Sequence, residues 1–152
     1  MIAVLQRVSR ASVAVDGATV AECGKGFLVL LGVARGDSEE DCRLLADKIA
    51  KLRVFQDCDG KMNLSVTDVG GSIVVVPNFT LLASYRKGNR PDFFDSAPPD
   101  TAKPLFEYFT SYISEQVPHV GRGIFGADMK VDLLNDGPVT IVMDSNVLKK
   151  KK

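Results

Sequence analysis

The chain has 152 residues, of which 45% are hydrophobic and 25% are charged. These proportions are typical of one soluble globular domain and exclude a disordered or collagen-like protein. The longest apolar run, Phe27–Val33, is far shorter than the roughly 20 residues that cross a bilayer. Because no basic segment precedes the first apolar residues, the N-terminus is unlike a signal peptide, and we expect a cytoplasmic protein without a membrane partner.

The charges balance overall, with 19 basic and 19 acidic residues, but they are unevenly placed. Removing the four lysines of a tail at 149–152 leaves 15 basic residues against 19 acidic ones, a net charge of −4. Such a body does not suit the coating of nucleic acid, so we expect no DNA partner, although a small local contact with nucleic acid stays open. We expect one domain over residues 1–148 and a solvated tail, with a phosphate-attracting arm as the alternative for the tail.

The chain has three cysteines and one histidine, and they do not have the spacing of a zinc site. Cys23, Cys42 and Cys58 form no CxxC pair, and Cys42 falls on the apolar face of a predicted helix. We therefore expect reduced cysteines, no metal and no cofactor. His119 follows a Val-Pro pair at a predicted helix end, and we interpret it as a surface or capping residue rather than as part of a catalytic triad.

The first third of the chain predicts strands and then a helix. Alternating apolar residues follow Ile2, Asp16-Gly17 is a hairpin signal, and the run Phe27–Leu31 predicts a buried central strand. Ser38 is a predicted N-cap, and acidic residues fill the three positions after it. The apolar face of this helix recurs at helical spacing: Cys42, Leu45, Ile49 and Leu52.

The rest of the chain predicts one more helix and several strands. Val54–Gln56 predicts a short strand, and Ser72–Val76 predicts a second buried one. Residues 84–95 have no periodicity, which in a small domain indicates a functional or mobile segment. A second helix is predicted from about residue 100 to Val117-Pro118. The predicted strands after it are Gly123–Phe125, Met129–Leu134 and Val139–Met143, with a turn at Asn135–Pro138.

Two helices cannot cover both faces of so many strands. The order of elements therefore favours an α/β protein with a three-layer α/β/β arrangement over a doubly wound fold. In this arrangement one layer of mixed sheet packs on another, and the two helices lie on one side.

The segment Pro77–Leu81 is the first candidate site, because it directly follows a buried strand. Thr80 offers a hydroxyl, and the backbone N–H groups of Phe79 and Thr80 would donate to a developing oxyanion. A plain strand end followed by a turn is the alternative interpretation.

The segment Asn135–Thr140 is the second candidate, with a plain turn again as the alternative. Its functional interpretation depends on the Gly137–Pro138 peptide. A cis bond, found at about 5–6% of X-Pro positions, would aim main-chain carbonyls rigidly into a pocket. Gly137 also lacks the Cβ that would block a close approach.

Together the two segments resemble the SQxTL and NxGPxT motifs of the bacterial and eukaryotic D-aminoacyl-tRNA deacylases. Three more segments match this family in the same order: Gln6–Val8, Arg86–Pro91 and Gly123–Met129. The resemblance covers nearly the whole chain. One departure is Pro77-Asn78, which stands in the place of the family's Ser-Gln.

The resemblance implies a homodimeric, metal-independent esterase that removes D-amino acids from the 3′-terminal adenosine of tRNA. It also implies removal of glycine misplaced on tRNA(Ala). Gly137 and Pro138 would form a chiral gate with a cis peptide that reaches into the partner subunit's pocket, and Arg7 would orient that gate. The remaining implied site residues fall into two groups. Asn78, Phe79 and Thr80 would be the catalytic residues, with Phe79 and Thr80 lining the scissile ester, and Phe125, Gly126 and Met129 would bind the terminal adenosine.

Several alternatives stay open at this point. Either Thr80 or the 2′-hydroxyl of the terminal ribose would assist attack on the ester. A weakened homologue that only binds tRNA ends and a small-ester hydrolase that uses Thr80 are competing functions. Because Arg7 is present, we expect D-selectivity, and the altered Pro77-Asn78 pair would affect rate or stringency. Exposed cations in Arg86–Arg90 would contact a few phosphates, with a solvated loop as the alternative.

Overall fold

The computed structural model describes residues 1–150, which form eight strands, three α-helices and one 3-10 turn. The strands are β1 (Ile2–Val15), β2 (Ala18–Cys23), β3 (Gly26–Gly32), β4 (Phe55–Gln56), β5 (Met62–Leu64), β6 (Ser72–Pro77), β7 (Val120–Arg122) and β8 (Lys130–Asp144). The helices are α1 (Glu39–Lys51), α2 (Pro99–Ser114) and α3 (Ser145–Leu148), and the 3-10 turn is Phe79–Leu82. Both predicted long helices are confirmed.

The main sheet is built around β1, which pairs with three other strands. One edge of β1 pairs with β3 over residues 2–8 and with β2 over residues 11–15, and the other edge pairs with β8. These pairings are antiparallel, whereas β3–β6 and β6–β7 are parallel, so the sheet is mixed. β4 and β5 form a separate two-stranded sheet.

The two faces of β3 and β6 pack against different layers. Successive residues of a strand point to opposite faces. Phe27 and Ile73 belong to the core that α1 and α2 cover. Leu28 and Val74 belong to a second core, which the later part of β1, together with β2 and the start of β8, covers. The predicted α/β/β layering, with the helices on one side, is confirmed.

α1 starts as predicted, and its first turn is tied to the C-terminal residues. The buried Asp41 accepts hydrogen bonds from the Ser38 backbone at 2.9 Å and from Ser145 Oγ at 2.6 Å. Lys149 Nζ lies 2.8 Å from Asp41 Oδ1, so Lys149 is ion-paired to α1 while its side chain stays 37% exposed. Burial alone would raise the pKa of Asp41, but the hydrogen bonds from Lys149, Ser145 and Ser38 outweigh it and lower the pKa to about 2. The predicted tail is therefore anchored at Lys149 by an ion pair, Lys150 is exposed, and residues 151–152 lie outside the described part of the chain.

The predicted turn at Asn135–Pro138 is wrong, because these residues belong to the continuous strand β8. In the pairing with β1, Gln6 lies opposite Thr140 and Val8 lies opposite Asn135. Residues 136–139 therefore lie opposite the single residue Arg7 and form a bulge of four residues. Turn-forming residues occur in both structures, and only the long-range pairing on both sides distinguishes a bulge from a turn.

The predicted strand at Gly123–Phe125 is also wrong. β7 occupies Val120–Arg122, and residues 123–129 form the loop that leads to β8. Gly123 N–H still donates to Val75 O at 2.9 Å, which ties the start of this loop to β6. In the described residues, no helix is long and apolar enough to span a membrane.

Candidate active site

A cavity of about 420 Å³ lies where the carboxyl ends of β3 and β6 meet the start of α2 and the loop after β7. Four of the predicted site residues line it: Asn78, Phe79, Phe125 and Gly126. Most of the remaining lining is apolar or proline, as is usual for a small-molecule site with few polar groups. Two motif-derived groups that are 46 positions apart in the sequence, counted from Phe79 to Phe125, therefore meet at one cavity.

The 3-10 turn brings Asn78 and Phe79 to this cavity. Asn78 N–H donates to Leu31 O at 2.8 Å, which keeps the end of β6 attached to β3. Gly32 lets the turn pack closely on β3. A Cβ at residue 32 would lie 2.5 Å from Leu82 Cδ2, 3.0 Å from Asn78 O and 3.1 Å from Leu81 Cβ. A larger residue at position 32 would therefore push on the Leu82 side chain and on the turn itself, which would have to shift by a few tenths of an ångström.

Phe79 presents its ring at the mouth of the cavity and is held through its backbone. Its side chain is 59% exposed, and its ring packs edge-on against Phe93 with the centroids 5.0 Å apart. The buried Ser96 donates from Oγ to Phe79 O at 2.9 Å. The sequence did not identify Ser96 and Phe93 as site residues. The aperiodic segment 84–95 indicated that this region of the chain is functional or mobile, but it did not indicate these side chains.

Thr80 lies in the turn but does not line the cavity. Its Oγ1 donates a hydrogen bond to Asn78 Oδ1. An amide oxygen accepts a hydrogen bond but is not a base, so this contact fixes the hydroxyl without activating it. Within residues 1–150, no carboxylate or histidine is hydrogen-bonded to Thr80, and His119 is exposed elsewhere.

The other wall of the cavity is the loop after β7. Phe125 packs on Phe106 of α2 with ring centroids 6.3 Å apart, and Gly126 has φ +80°, a conformation that favours glycine. Met129, expected to bind adenosine, does not line the cavity. A Cβ on Gly123 would lie 2.5 Å from Met129 Sδ, so Met129 packs against the backbone that carries the loop.

The Gly137–Pro138 peptide is cis, as the resemblance implies, and lies on the bulge of β8. Arg7 is buried and holds the base of the bulge. Its Nε donates to Asp136 O at 3.0 Å, and its Nη1 donates to Val54 O at 2.6 Å. Gly137 and Pro138 are exposed and do not line the cavity of their own chain.

Asn135 is a second tether of the bulge, which the sequence did not single out as a site residue. Its Nδ2 donates to Arg7 O and to Val139 O, both at 3.0 Å, and so closes the two ends of the bulge. Its place at the start of the NxGPxT-like segment was the available signal. Cys42, by contrast, is a buried core residue as expected, and burial raises the pKa of its thiol to about 12.

Comparisons with known proteins agree on one family. The family model described as D-Tyr-tRNA(Tyr) deacylase matches residues 4–144. A protein of Anaeromyxobacter dehalogenans named D-aminoacyl-tRNA deacylase is 57% identical, over 97% of this chain and 99% of its own length. A protein of the same name from Geobacter sulfurreducens is 54% identical, over 95% of both chains.

Solved structures support the same fold. A structure titled c-Myc DNA Unwinding Element Binding Protein has a TM-score of 0.90 and 39% identity, and the match covers 95% of this chain and 98% of that one. A probable eukaryotic D-amino acid tRNA deacylase has a TM-score of 0.78 over 93% of this chain and 97% of that one, and its 16% identity bears on the fold alone. The chain therefore belongs to the D-Tyr-tRNA(Tyr) deacylase family, whose members are hydrolases of the ester bond of aminoacyl-tRNA.

Proposed function

We propose that the chain hydrolyses the ester between a D-amino acid and the 3′-terminal adenosine of tRNA, releasing free D-amino acid and tRNA. The cavity carries this proposal, because it gathers Asn78 and Phe79, which are expected to be catalytic, and Phe125 and Gly126, which are expected to bind adenosine. The exposed ring of Phe79 and the ring of Phe125 suit a flat base and an ester placed between them. A cytoplasmic location follows from this substrate.

The reaction is an attack of water on the ester carbonyl, with the terminal ribose oxygen as the leaving group. The backbone N–H groups of Phe79 and Thr80 open the 3-10 turn, where the first N–H groups have no partner within the turn. They would donate to the oxyanion that forms as water attacks. Because the aminoacyl ester is reactive, positioning and these donors supply most of the catalysis.

We assign assistance to the 2′-hydroxyl of the terminal ribose rather than to Thr80. The Thr80 hydroxyl already donates to Asn78, has no basic partner among residues 1–150 and does not line the cavity. Thr80 and Asn78 instead hold each other, and with them the turn that carries the N–H donors. Met129 does not contact the adenosine directly but supports the loop that holds Phe125 and Gly126.

The Gly137–Pro138 bulge acts as a chiral gate in the cavity of a partner subunit. It is exposed, braced by Arg7, and separate from its own cavity, so a second copy is needed to bring gate and ester together. The free edge of β8 and the exposed side chains of Leu134 and Val142 support such a homodimer. Main-chain carbonyls of the gate would collide with an L side chain, whereas a D side chain would point away.

Glycine has no side chain and would therefore pass a gate of this kind. Removal of glycine misplaced on tRNA(Ala) is accordingly part of the proposed activity. The gate rejects an L side chain because that side chain collides with its carbonyls. Glycine has only hydrogens on its α-carbon, so no such collision occurs.

Hydrolysis of D-Tyr-tRNA and L-Tyr-tRNA by the purified protein, with EDTA present, tests the proposal. We expect fast loss of the D ester alone. If neither ester is lost while terminal adenosine still binds, the chain is a silent binder of tRNA ends, for which Pro77-Asn78 is the specific departure from the family motif. Reversion of this pair to Ser-Gln would then restore cleavage. If esters without a 2′-hydroxyl are cleaved and Thr80→Ala abolishes this, the chain is instead a small-ester hydrolase.

A further inference from the structure

A basic hairpin, residues 84–92, projects from the rim of the cavity. Ser84 and Asp92 close it with two backbone hydrogen bonds of 2.8 and 2.9 Å, one in each direction. Residues 85–91 form its exposed tip, and Gly88 has φ +66° there. The closed base makes the tip a defined loop rather than an unattached segment.

The tip is a concentrated positive charge on an acidic body. Arg86, Lys87 and Arg90 are exposed, and residues 85–91 include no acidic side chain. In the described residues, none of these three cations forms an ion pair or a hydrogen bond to the protein. Free guanidinium and ammonium groups at close spacing are suited to phosphate oxygens.

The base of the hairpin is attached directly to the cavity wall. Phe93 follows Asp92, lines the cavity and packs on Phe79. Arg35 Nε donates to Phe94 O on the other side of this base. Three or four extended residues reach about 10 Å from the base to the tip, which is the length of a few nucleotides rather than of a whole helix.

We propose that the basic hairpin binds the backbone phosphates of the unpaired nucleotides that precede the terminal adenosine. Tyr85, which is 81% exposed in the same tip, stacks on one of their bases. The cavity then holds the reacting adenosine while the hairpin holds the strand leading to it. This inference rests on the proposed tRNA substrate and adds a second binding site for it.

The variant Arg86→Gln, Lys87→Gln, Arg90→Gln tests the proposal against a matched control, Lys48→Gln, Lys51→Gln, Lys61→Gln. The control removes the same charge from exposed side chains outside the cavity lining. Each phosphate contact to a single strand contributes about 0.7 to the slope of log affinity against log salt concentration. Losing three contacts should therefore reduce the steepness of log kcat/KM on D-Tyr-tRNA against log salt concentration by about 2. At low salt, kcat/KM itself should fall about 10- to 100-fold.

A substrate without phosphates separates binding from chemistry. The hairpin variant should hydrolyse D-tyrosyl-adenosine as fast as the parent protein does, because that ester lacks the strand. Tyr85→Ala should weaken only the tRNA substrate, by about 5- to 100-fold. An unchanged salt slope, or an equal change in the control variant, would overturn the proposal.

Binding of a single-stranded RNA that ends in adenosine and carries no amino acid separates this proposal from the proposed activity. If the parent protein cleaves neither ester but its RNA binding has a salt slope that falls in the hairpin variant, the hairpin stands and the activity fails. If the slope of RNA binding does not fall, the hairpin proposal fails whatever the activity.

Discussion

Replacing Arg7 with methionine should both destabilise the protein and loosen its discrimination between D and L esters. Methionine fills a similar apolar volume but donates no hydrogen bond. The change therefore removes the donors to Val54 O and Asp136 O, which lie 2.6 and 3.0 Å from the guanidinium. The bulge of β8 would lose its main support.

The magnitude follows from the burial of the two carbonyls. Val54 is buried, so its carbonyl oxygen loses a charge-assisted bond and gains no water, at a cost of about 1.5–3 kcal/mol. Asp136 is exposed, so its carbonyl regains a bond from water at little cost. For a chain of this length each kcal/mol lowers Tm by about 2–4 °C, which gives a fall of about 3–12 °C.

Urea unfolding and the rates on D- and L-Tyr-tRNA measure the two effects at one fixed protein concentration. Arg10→Met is the matched control, because Arg10 lies on the same strand and forms only an exposed ion pair with Asp132. Such pairs contribute at most about 1 kcal/mol. We expect the ratio of D to L rates to fall at least 10-fold in Arg7→Met and to stay unchanged in the control. A loss of stability with an unchanged ratio would refute the role of Arg7 in orienting the gate.

Three further changes test other parts of the structure. Gly32→Ala should reduce kcat by about 10-fold or more with a smaller change in KM, because its Cβ would press on the turn that carries the oxyanion donors; equal loss for a Gly24→Ala control, where a Cβ meets nothing within 4 Å, would contradict this. Thr80→Ala should keep part of the activity on normal D-Tyr-tRNA, whereas a substrate with a 2′-deoxy terminal adenosine should be nearly inert with the parent protein. Single-turnover rates measure both reactions, and a faster reaction of the 2′-deoxy substrate would contradict this. Asp41 has a pKa of about 2 against an ordinary 3.8, so it contributes about 2 kcal/mol of stability above pH 3.8 that is lost as pH falls through 2. Between pH 2 and 6 the unfolding free energy should therefore rise more steeply with pH in the parent protein than in Asp41→Asn, where Asp57 and Asp68, whose pKa values are also lowered, still contribute.

The helices and the buried strands could be predicted because their signals are local. Ser38 marks the start of α1, and Cys42, Leu45 and Ile49 repeat at helical spacing on its buried face. The continuous apolar runs of β3 and β6 likewise predicted that both strands are buried. In each case the residues that decide the structure lie within a few positions of one another.

The bulge and the true lining of the cavity could not be predicted, because they depend on distant partners. Residues 135–140 have the composition of a turn, and only pairing with Gln6 and Val8 keeps the strand going. Met129 lies in a family-like segment, but its packing against Gly123 turns it away from the cavity. Ser96 has no sequence signal at all, because its role comes from the backbone of Phe79 lying beside it.

Under the proposed function, the bulge of β8 also separates the selectivity of the protein from the pairing of its sheet. Pairing resumes on both sides of residues 136–139, at Asn135 with Val8 and at Thr140 with Gln6, so the register of β1 and β8 is fixed without any help from the residues between. Changes in the length or chemistry of that short segment therefore need not shift a single side chain from one face of the sheet to the other. As the proposed gate, such a segment can change which amino acids are accepted while the pairing of β1 and β8 around it is kept.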